Sequence, residues 1–472
     1  MHAKLLLGSA VVERDSIIER KNPYTDKVVS TFPLCSASDA INALKIAQDA
    51  KKVAASSTLS QRCEWILDVA SKLQENKEEI AKVITDEVAK PITFARIEVE
   101  RCIETLRLSA ETARTFGGET INSDAMQSGR KSIAYYKRVP VGVVVAITPF
   151  NFPLNLVAHK LGPALVAGNC VVLKPTPEAP LTAYMFAKLF IDSKYAIKDA
   201  LSVVYGDAEV GSALVESDIA RVISFTGSVQ VGNIITKSAG IKKVSLELGG
   251  NAATFVDKTA KLEYAATRCT MGAFVNSGQV CISLQRIYVH EDVYDEFAQY
   301  MMQESKKLKV GNPYADETFM GPLIDEESSQ RALNWVNSAI KEGANALFEP
   351  KIDGRIFSPV VMVDVTDDMN IICEEVFAPI VSLIKVKNFE DAAKRMNNSP
   401  YGLQFSVFTN DLSLANSAID ELEAGGIVIN DMPTLRFDIQ PYGGVKLSGV
   451  GREGPRFALE EFTEIKSIVM LS

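Results

Sequence analysis

Arg221-Val222-Ile223-Ser224-Phe225-Thr226-Gly227-Ser228-Val229-Gln230-Val231-Gly232 is the stretch on which the fold turns. Its first five residues read as a strand, and the spacing after Gly227 reads as a helix over 228–239. Between them lies G-x-x-x-x-G. Gly227 permits a tight turn, and the free N–H groups of a helix start favour an anion such as a pyrophosphate. No lysine follows Gly232, so the loop is not a P-loop. By itself the stretch reads first as an ordinary strand-to-helix turn.

The same alternation extends to both sides. Strands are expected at Val143–Ile147, Cys170–Leu173, Leu201–Val204, Val222–Phe225 and Val244–Leu246, with helices near 154–167, 182–194 and 208–216. Repeated strand–helix units imply a parallel sheet. A second α/β unit follows over 249–430, with strands near 253–256, 286–290, 380–386, 404–408 and 426–430. Residues 37–115 carry apolar positions at three and four residue spacing and read as helices, with Ser38 and Ser60 as N-caps. Lys131–Arg138 and Glu464–Leu471 are strand-like but belong to neither sheet. Detached strands of this kind often pair across a subunit interface.

Composition removes several function classes. The 472 residues carry 50 Lys+Arg against 59 Asp+Glu, a net charge of −9. A nucleic-acid or anionic-membrane binder needs a basic face, so neither is expected. The most apolar region, 139–172, is broken by Pro149, Asn151, Pro153, His159, Lys160, Pro163 and Asn169, so it is not a membrane span. Residues 1–15 lack a long apolar core or a cleavage site, and a cytoplasmic protein is expected. The seven cysteines are dispersed, with no C-x-x-C, which fits a reducing compartment. Only three histidines occur, so no metal site is expected, and a nucleophile would need activation other than a Cys–His pair.

Three further motifs carry chemistry. Gly278-Gln279-Val280-Cys281 would expose a thiol among small neighbours, although a lone cysteine is more often a small buried hydrophobe. Glu247-Leu248-Gly249-Gly250 ends a strand with a carboxylate, which alone could be a cap or an ion pair. Pro149-Phe150-Asn151-Phe152-Pro153 holds an amide between prolines and could be a buried turn. Gly449-Val450-Gly451-Arg452-Glu453-Gly454 matches G-x-G-x-x-G, but only eighteen residues follow it. That is too few for a dinucleotide-binding unit, and it reads as a flexible turn before a C-terminal helix.

Taken together and in order, these motifs resemble the NAD(P)-dependent aldehyde dehydrogenase superfamily. The resemblance spans nearly the whole chain: PFNFP, FTGSxxxG, ELGG, GQxC thirty-four residues later, EEVFxP and PYGGxKxSGxGREG stand in register. It implies an α/β fold with a Rossmann-type parallel-sheet cofactor domain, an α/β catalytic domain and a small β oligomerisation element. The boundaries expected are 1–117 with 141–248, then 249–435, then 118–140 with 452–472. A homodimer or homotetramer follows from the same likeness.

The resemblance also implies roles. Cys281 becomes the nucleophile, Glu247 the general base and Asn151 an oxyanion donor. Thr148, Pro149, Phe150, Lys174, Pro177, Gly227, Ser228, Gly232, Leu248, Glu375 and Phe377 become the cofactor site. Among them Lys174 would reach the adenosine ribose, Ser228 the pyrophosphate, and Glu375 and Phe377 the nicotinamide ribose and ring. Leu156, His159, Val280, Ile282 and Arg436 would line the substrate side. A Glu at 247 favours hydrolysis to a free acid over transfer to a thiol.

Two departures sharpen the expectation. Pro177 stands where members preferring NAD often have a glutamate, with Glu178 one residue late. Without that carboxylate a 2′-phosphate is not repelled, so NAD or NADP is expected, NADP slightly favoured. His159 stands where members acting on hydrophobic aldehydes have an aromatic residue, which suggests a polar substrate. Arg436 could grip a carboxylate, phosphate or sulfonate, or pair structurally with Asp438 or Asp431. The loop resembles the lactaldehyde, non-phosphorylating glyceraldehyde-3-phosphate and sulfolactaldehyde dehydrogenase branch, with Val280 departing from an arginine in a glyceraldehyde-3-phosphate member. Lactaldehyde is the lead substrate; succinate semialdehyde, sulfolactaldehyde and glyceraldehyde 3-phosphate are alternatives. A non-catalytic structural or binding member is the alternative of a different class.

Overall fold

The computed structural model describes residues 1–471. The opening stretch forms the strand Val222–Thr226 and the helix Val229–Ser238, with Ser228 as N-cap. This strand lies inside an eight-stranded sheet. Across that sheet run Ala10–Val12, Leu5–Leu7, Leu201–Val203, Cys170–Lys174, Val143–Ile147, Val222–Thr226, Lys243–Glu247 and Gly449–Val450. The five from Leu201–Val203 to Lys243–Glu247 are parallel. The order in which successive strands are added reverses between Val143–Ile147 and Val222–Thr226, and such a switch point opens a crevice at the strands' carboxyl ends. Thr148-Pro149-Phe150-Asn151 leaves one side of it and Gly227-Ser228 the other.

The second sheet runs Asn345–Ala346, Val360–Val363, Ile380–Val386, Leu284–His290, Ala252–Val256, Gln404–Phe408 and Gly426–Ile429. All of its pairings are parallel except that of Asn345–Ala346. Four residues, 248–251, connect Lys243–Glu247 to Ala252–Val256. The carboxyl edge of the first sheet therefore meets the amino edge of the second. Glu247 ends one strand, and Cys281 lies just before Leu284–His290.

The helix Asn155–Val166 packs behind this junction with all twelve residues buried. A helix buried on every side must satisfy its polar groups internally. Asn155 Oδ1 accepts from Thr105 Oγ1 at 3.0 Å, and Lys160 Nζ donates to Ser224 Oγ at 3.1 Å and Glu453 Oε1 at 3.2 Å. Its first turn has no local cap. Instead Glu98 Oε1 accepts from the Leu154 and Asn155 amides at 2.9 and 3.1 Å. Glu87 does the same for Pro180–Ile191, accepting from Leu181 N and Thr182 N. Leu161 and Leu165 are fully buried on the same helix; truncating either to alanine would cost about 2–5 kcal/mol.

The detached strands pair with each other. Thr463–Met470 lies antiparallel to Ile133–Pro140, with Thr120–Ile121 on the far side. Two expected caps move by two residues: Ser36 and Thr58 take the positions assigned to Ser38 and Ser60. Ser36 wins because Asp39 completes a reciprocal capping box with it. The G-x-G-x-x-G stretch is not a loose turn. Gly449–Val450 pairs with Lys243–Glu247, and Glu453 is buried, held by Lys160 and Arg436.

Candidate active site

Three cavities meet at the junction of the sheets. One of about 580 Å³ is bordered by Thr148, Pro149, Lys174, Pro177, Glu178 and Ser228. A second of about 590 Å³ carries Phe150, Asn151, Leu248, Glu375 and Phe377, and shares Pro149, Gly227 and Ser228 with the first. A third of about 240 Å³ holds Val280, Ile282, Arg436 and Tyr442. Cys281, Glu247 and Leu156 border both the second and the third. The expected nucleophile and base thus stand between a long cleft and a smaller cavity.

The loop that presents Cys281 is held in a demanding conformation. Asn276, Ser277 and Gly278 all have positive φ, at 51°, 56° and 71°. Non-glycine residues rarely take this region, and it persists only where the surroundings hold it. Here Ser277 Oγ donates to Gly321 O at 2.7 Å, and Gln279 Oε1 accepts from Ile324 N at 3.0 Å. Asn151 Nδ2 donates to Gln279 O at 3.1 Å, which ties the PFNFP turn to the thiol loop and leaves its second amide hydrogen uncommitted. A Cβ on Gly250 would lie 2.3 Å from the Cys281 carbonyl oxygen, so glycine there is a matter of space. Gly227 is likewise about space rather than φ. A Cβ on it would lie 2.5 Å from the Phe225 ring.

Burial dominates the electrostatics. Glu247 is buried, and neither carboxylate oxygen has a hydrogen-bond partner. Desolvation, reinforced by the nearby Glu453 charge, holds its carboxyl well above the usual range. Burial pushes the Cys281 thiol up to about 12, opposed by a hydrogen bond with the Tyr442 hydroxyl at 3.1 Å. Glu375 is raised to about 7 by burial, although the Gly250 amide donates to it. Glu453 goes the other way, down to about 2, because Lys160, His159 and Arg436 outweigh its burial.

The small cavity carries more cations than the sequence suggested. Lys90, Arg101 and Arg436 all border it. Lys90 pairs with Glu98, Arg101 forms a fork with Asp438 at 3.0 and 2.7 Å, and Arg436 Nη2 reaches Glu453 at 3.2 Å. Arg436 is therefore both a wall residue and an ion-pair member, but its closer partner is Glu453; Asp438 lies at 3.8 Å. His159 is not on the wall. It is 1% exposed, and its Nε2 faces Asp438 at 3.0 Å and Arg436 at 3.3 Å. Its place on an all-buried helix turns it away from the cavity, so it acts on the loop carrying Arg436 rather than on a ligand directly.

The long cleft fits a dinucleotide. Thr148 Oγ1 and Thr226 Oγ1 border it, buried and without partners, as donors awaiting a ligand. The first-turn amides after Ser228 face the same space, suited to a phosphate. Lys174 contributes its amine. Glu178 also reaches this cleft, where it accepts from Thr176 Oγ1, so a carboxylate is present one residue later than the pattern places it. Gly232 does not border the cleft; a Cβ on it would meet Leu248 at 2.6 Å, so it lets that helix pack closely. Besides Lys90 and Thr226, the site residues that sequence reading missed include Arg101, Tyr442 and Glu453. The last two lie in motifs that were read for other reasons.

Comparison with known proteins agrees with this geometry. The model of the aldehyde dehydrogenase family matches residues 11–468. A 3-sulfolactaldehyde dehydrogenase from Priestia aryabhattai is 42% identical over 456 residues, covering 96% of this chain and 94% of that protein. A lactaldehyde dehydrogenase from Methanococcus aeolicus is 40% identical over 457 residues, covering 96% and 97%. The solved NADP-dependent glyceraldehyde-3-phosphate dehydrogenase of Bacillus halodurans C-125, complexed with NADP, superposes with a TM-score of 0.97 at 34% identity, covering 100% and 99%. The chain belongs to the aldehyde dehydrogenase family, as an NAD(P)-dependent enzyme of the branch that oxidises small aldehydes.

Proposed function

We propose that the protein oxidises a small polar 2-hydroxyaldehyde, with lactaldehyde as the lead, to its carboxylic acid. The observation that carries this is the meeting of Cys281, Glu247 and Asn151 where a cofactor-sized cleft joins a 240 Å³ cavity. Cys281 Sγ attacks the carbonyl carbon, and the π pair moves onto oxygen. The Asn151 amide and the Cys281 N–H receive that charge, at roughly 3 kcal/mol per donor. The nicotinamide, when bound, supplies the hydride acceptor. Glu247 then takes a proton from water, the water oxygen attacks the thioester carbon, and the sulfur leaves as thiolate. Ser228 would hold the pyrophosphate, Lys174 the adenosine ribose, and Glu375 with Phe377 the nicotinamide end. NADP is accepted beside NAD: Pro177 offers no charge against a 2′-phosphate, and Glu178 is occupied by Thr176.

A second reading rests on Arg101 and Arg436. Two guanidinium groups on the wall of so small a cavity favour an anionic tail, such as a sulfonate, phosphate or carboxylate. One experiment separates the two. Lactaldehyde, sulfolactaldehyde, succinate semialdehyde and glyceraldehyde 3-phosphate are compared by kcat/KM with each cofactor. Lactaldehyde should lead; an anionic aldehyde ahead of it by tenfold or more selects the second reading. No turnover of any of them, or full turnover by Cys281→Ala, would sink the proposal. The domain division and the role of 118–140 with 452–472 in assembly belong to the same reading.

A further inference from the structure

Burial raises a question that Cys281, Glu247 and Asn151 do not answer. The thiol sits in surroundings that oppose its ionisation, yet the attacking species is the thiolate. None of the three histidines lies against it: His159 faces Asp438, His290 is paired near Asp292, and His2 is bonded to Thr31. We propose that Tyr442 is a further catalytic residue, whose hydroxyl donates the hydrogen bond that stabilises Cys281 Sγ as the thiolate. This rests on Cys281 being the nucleophile.

The geometry assigns the donor. Tyr442 Oη lies 3.1 Å from Sγ, within reach for a sulfur acceptor. Tyr442 is held at both ends. Its backbone N–H donates to Glu453 O at 3.0 Å, and its carbonyl accepts from Glu453 N at 2.7 Å. Its ring packs with Val280, Ile282 and Leu403, and the Arg436 guanidinium lies 3.7 Å from the ring centroid. A cation stacked on a phenol draws electron density from it and makes its O–H a better donor. Arg436 is in turn fixed by Glu453 and His159.

The direction follows from chemistry. A phenol O–H donates strongly and a thiol S–H weakly. Burial raises both groups, but the hydrogen bond between them lowers the Cys281 thiol while it raises the Tyr442 hydroxyl. The proton therefore stays on oxygen, and sulfur is the atom that ionises and accepts. The same bond works twice. It stabilises the thiolate before the S–C bond forms, and again when that bond breaks and sulfur leaves with the electron pair during hydrolysis.

The test is Tyr442→Phe in the full enzyme, with Cys281 alkylation by iodoacetamide followed against pH in the absence of cofactor and aldehyde. Loss of one hydrogen bond to an ion should raise the apparent thiol pKa by about one unit, a tenfold smaller thiolate fraction below the transition. 4-Aminophenylalanine at position 442, a weaker N–H donor that does not ionise in this range, should raise it by less. An unchanged pKa in both proteins, or a downward shift in Tyr442→Phe, overturns the proposal. Should Tyr442→Phe fail to fold, the aminophenylalanine protein decides alone. Turnover retained by Cys281→Ala would instead overturn the nucleophile assignment, so the two failures are distinct.

Discussion

Glu247 carries the pH behaviour of the site. Its carboxyl is held well above the usual carboxylate range by burial and by Glu453, so its base form grows as pH rises. In the proposed mechanism the limb of kcat that reports thioester hydrolysis should therefore climb with pH. Glu247→Gln should flatten that limb and accumulate the acyl-enzyme, which intact-protein mass spectrometry detects. A flat profile in the parent enzyme would contradict the assignment. The stability effect has the matching sign. A raised native carboxyl pKa stabilises the fold below the unfolded value and withdraws that contribution as pH rises through the native one. Asp438 behaves oppositely. His159 and Arg101 hold its carboxyl far below the usual range against its burial, so its contribution is lost on acidification. For Asn151→Ala, loss of one oxyanion donor predicts a fall in kcat of about 100-fold, with cofactor affinity unchanged by fluorescence titration. The meeting of Glu247, Asn151 and Cys281 was legible because each stands in a short motif with a chemical reason. Arg101 was not. It meets Asp438 across 337 positions and lies on a helix whose pattern reads only as amphipathic.

Elements were legible where their period was long enough to register. The five parallel strands of the first sheet fell within a few residues of their expected limits, because each is a β-branched run between helical patterns. Asn345–Ala346, Ile352–Asp353 and Ile356–Phe357 are two residues each and leave no period to read. The caps of Asn155–Val166 and Pro180–Ile191 were hidden for another reason: Glu98 and Glu87 arrive from distant helices. The Glu247–Gly250 connection shows what an element must leave empty. A Cβ on Gly249 would lie 2.3 Å from Glu375 Oε2. Gly249→Ala should displace Glu375, raise the KM for the dinucleotide by about tenfold, and leave the Cys281 alkylation rate within twofold. Unchanged cofactor KM would show that Glu375 does not hold the nicotinamide end.

At the scale of the molecule, the small third sheet is the least explained part of a single chain. Thr463–Met470 forms its edge, with one side of its backbone unpaired. Ile465 and Val469 point to the same face, four residues apart, and are 59% and 61% exposed. An apolar edge strand left open invites pairing with another chain. The net charge of −9 would oppose self-association through a polar face, so an apolar edge is the cheaper contact. The sequence hinted at this because two strand-like segments matched neither sheet. It could not say that they pair with each other before meeting a partner. The expected outcome is a dimer or tetramer in sedimentation velocity. Ile465→Lys with Val469→Lys should shift it toward the single-chain species, because burying two ammonium groups in such an interface costs several kcal/mol. Both changes lie outside the three cavities, so the alkylation profile of Cys281 should survive them. A parent protein that sediments as one chain at all concentrations would leave this edge without the role assigned to it.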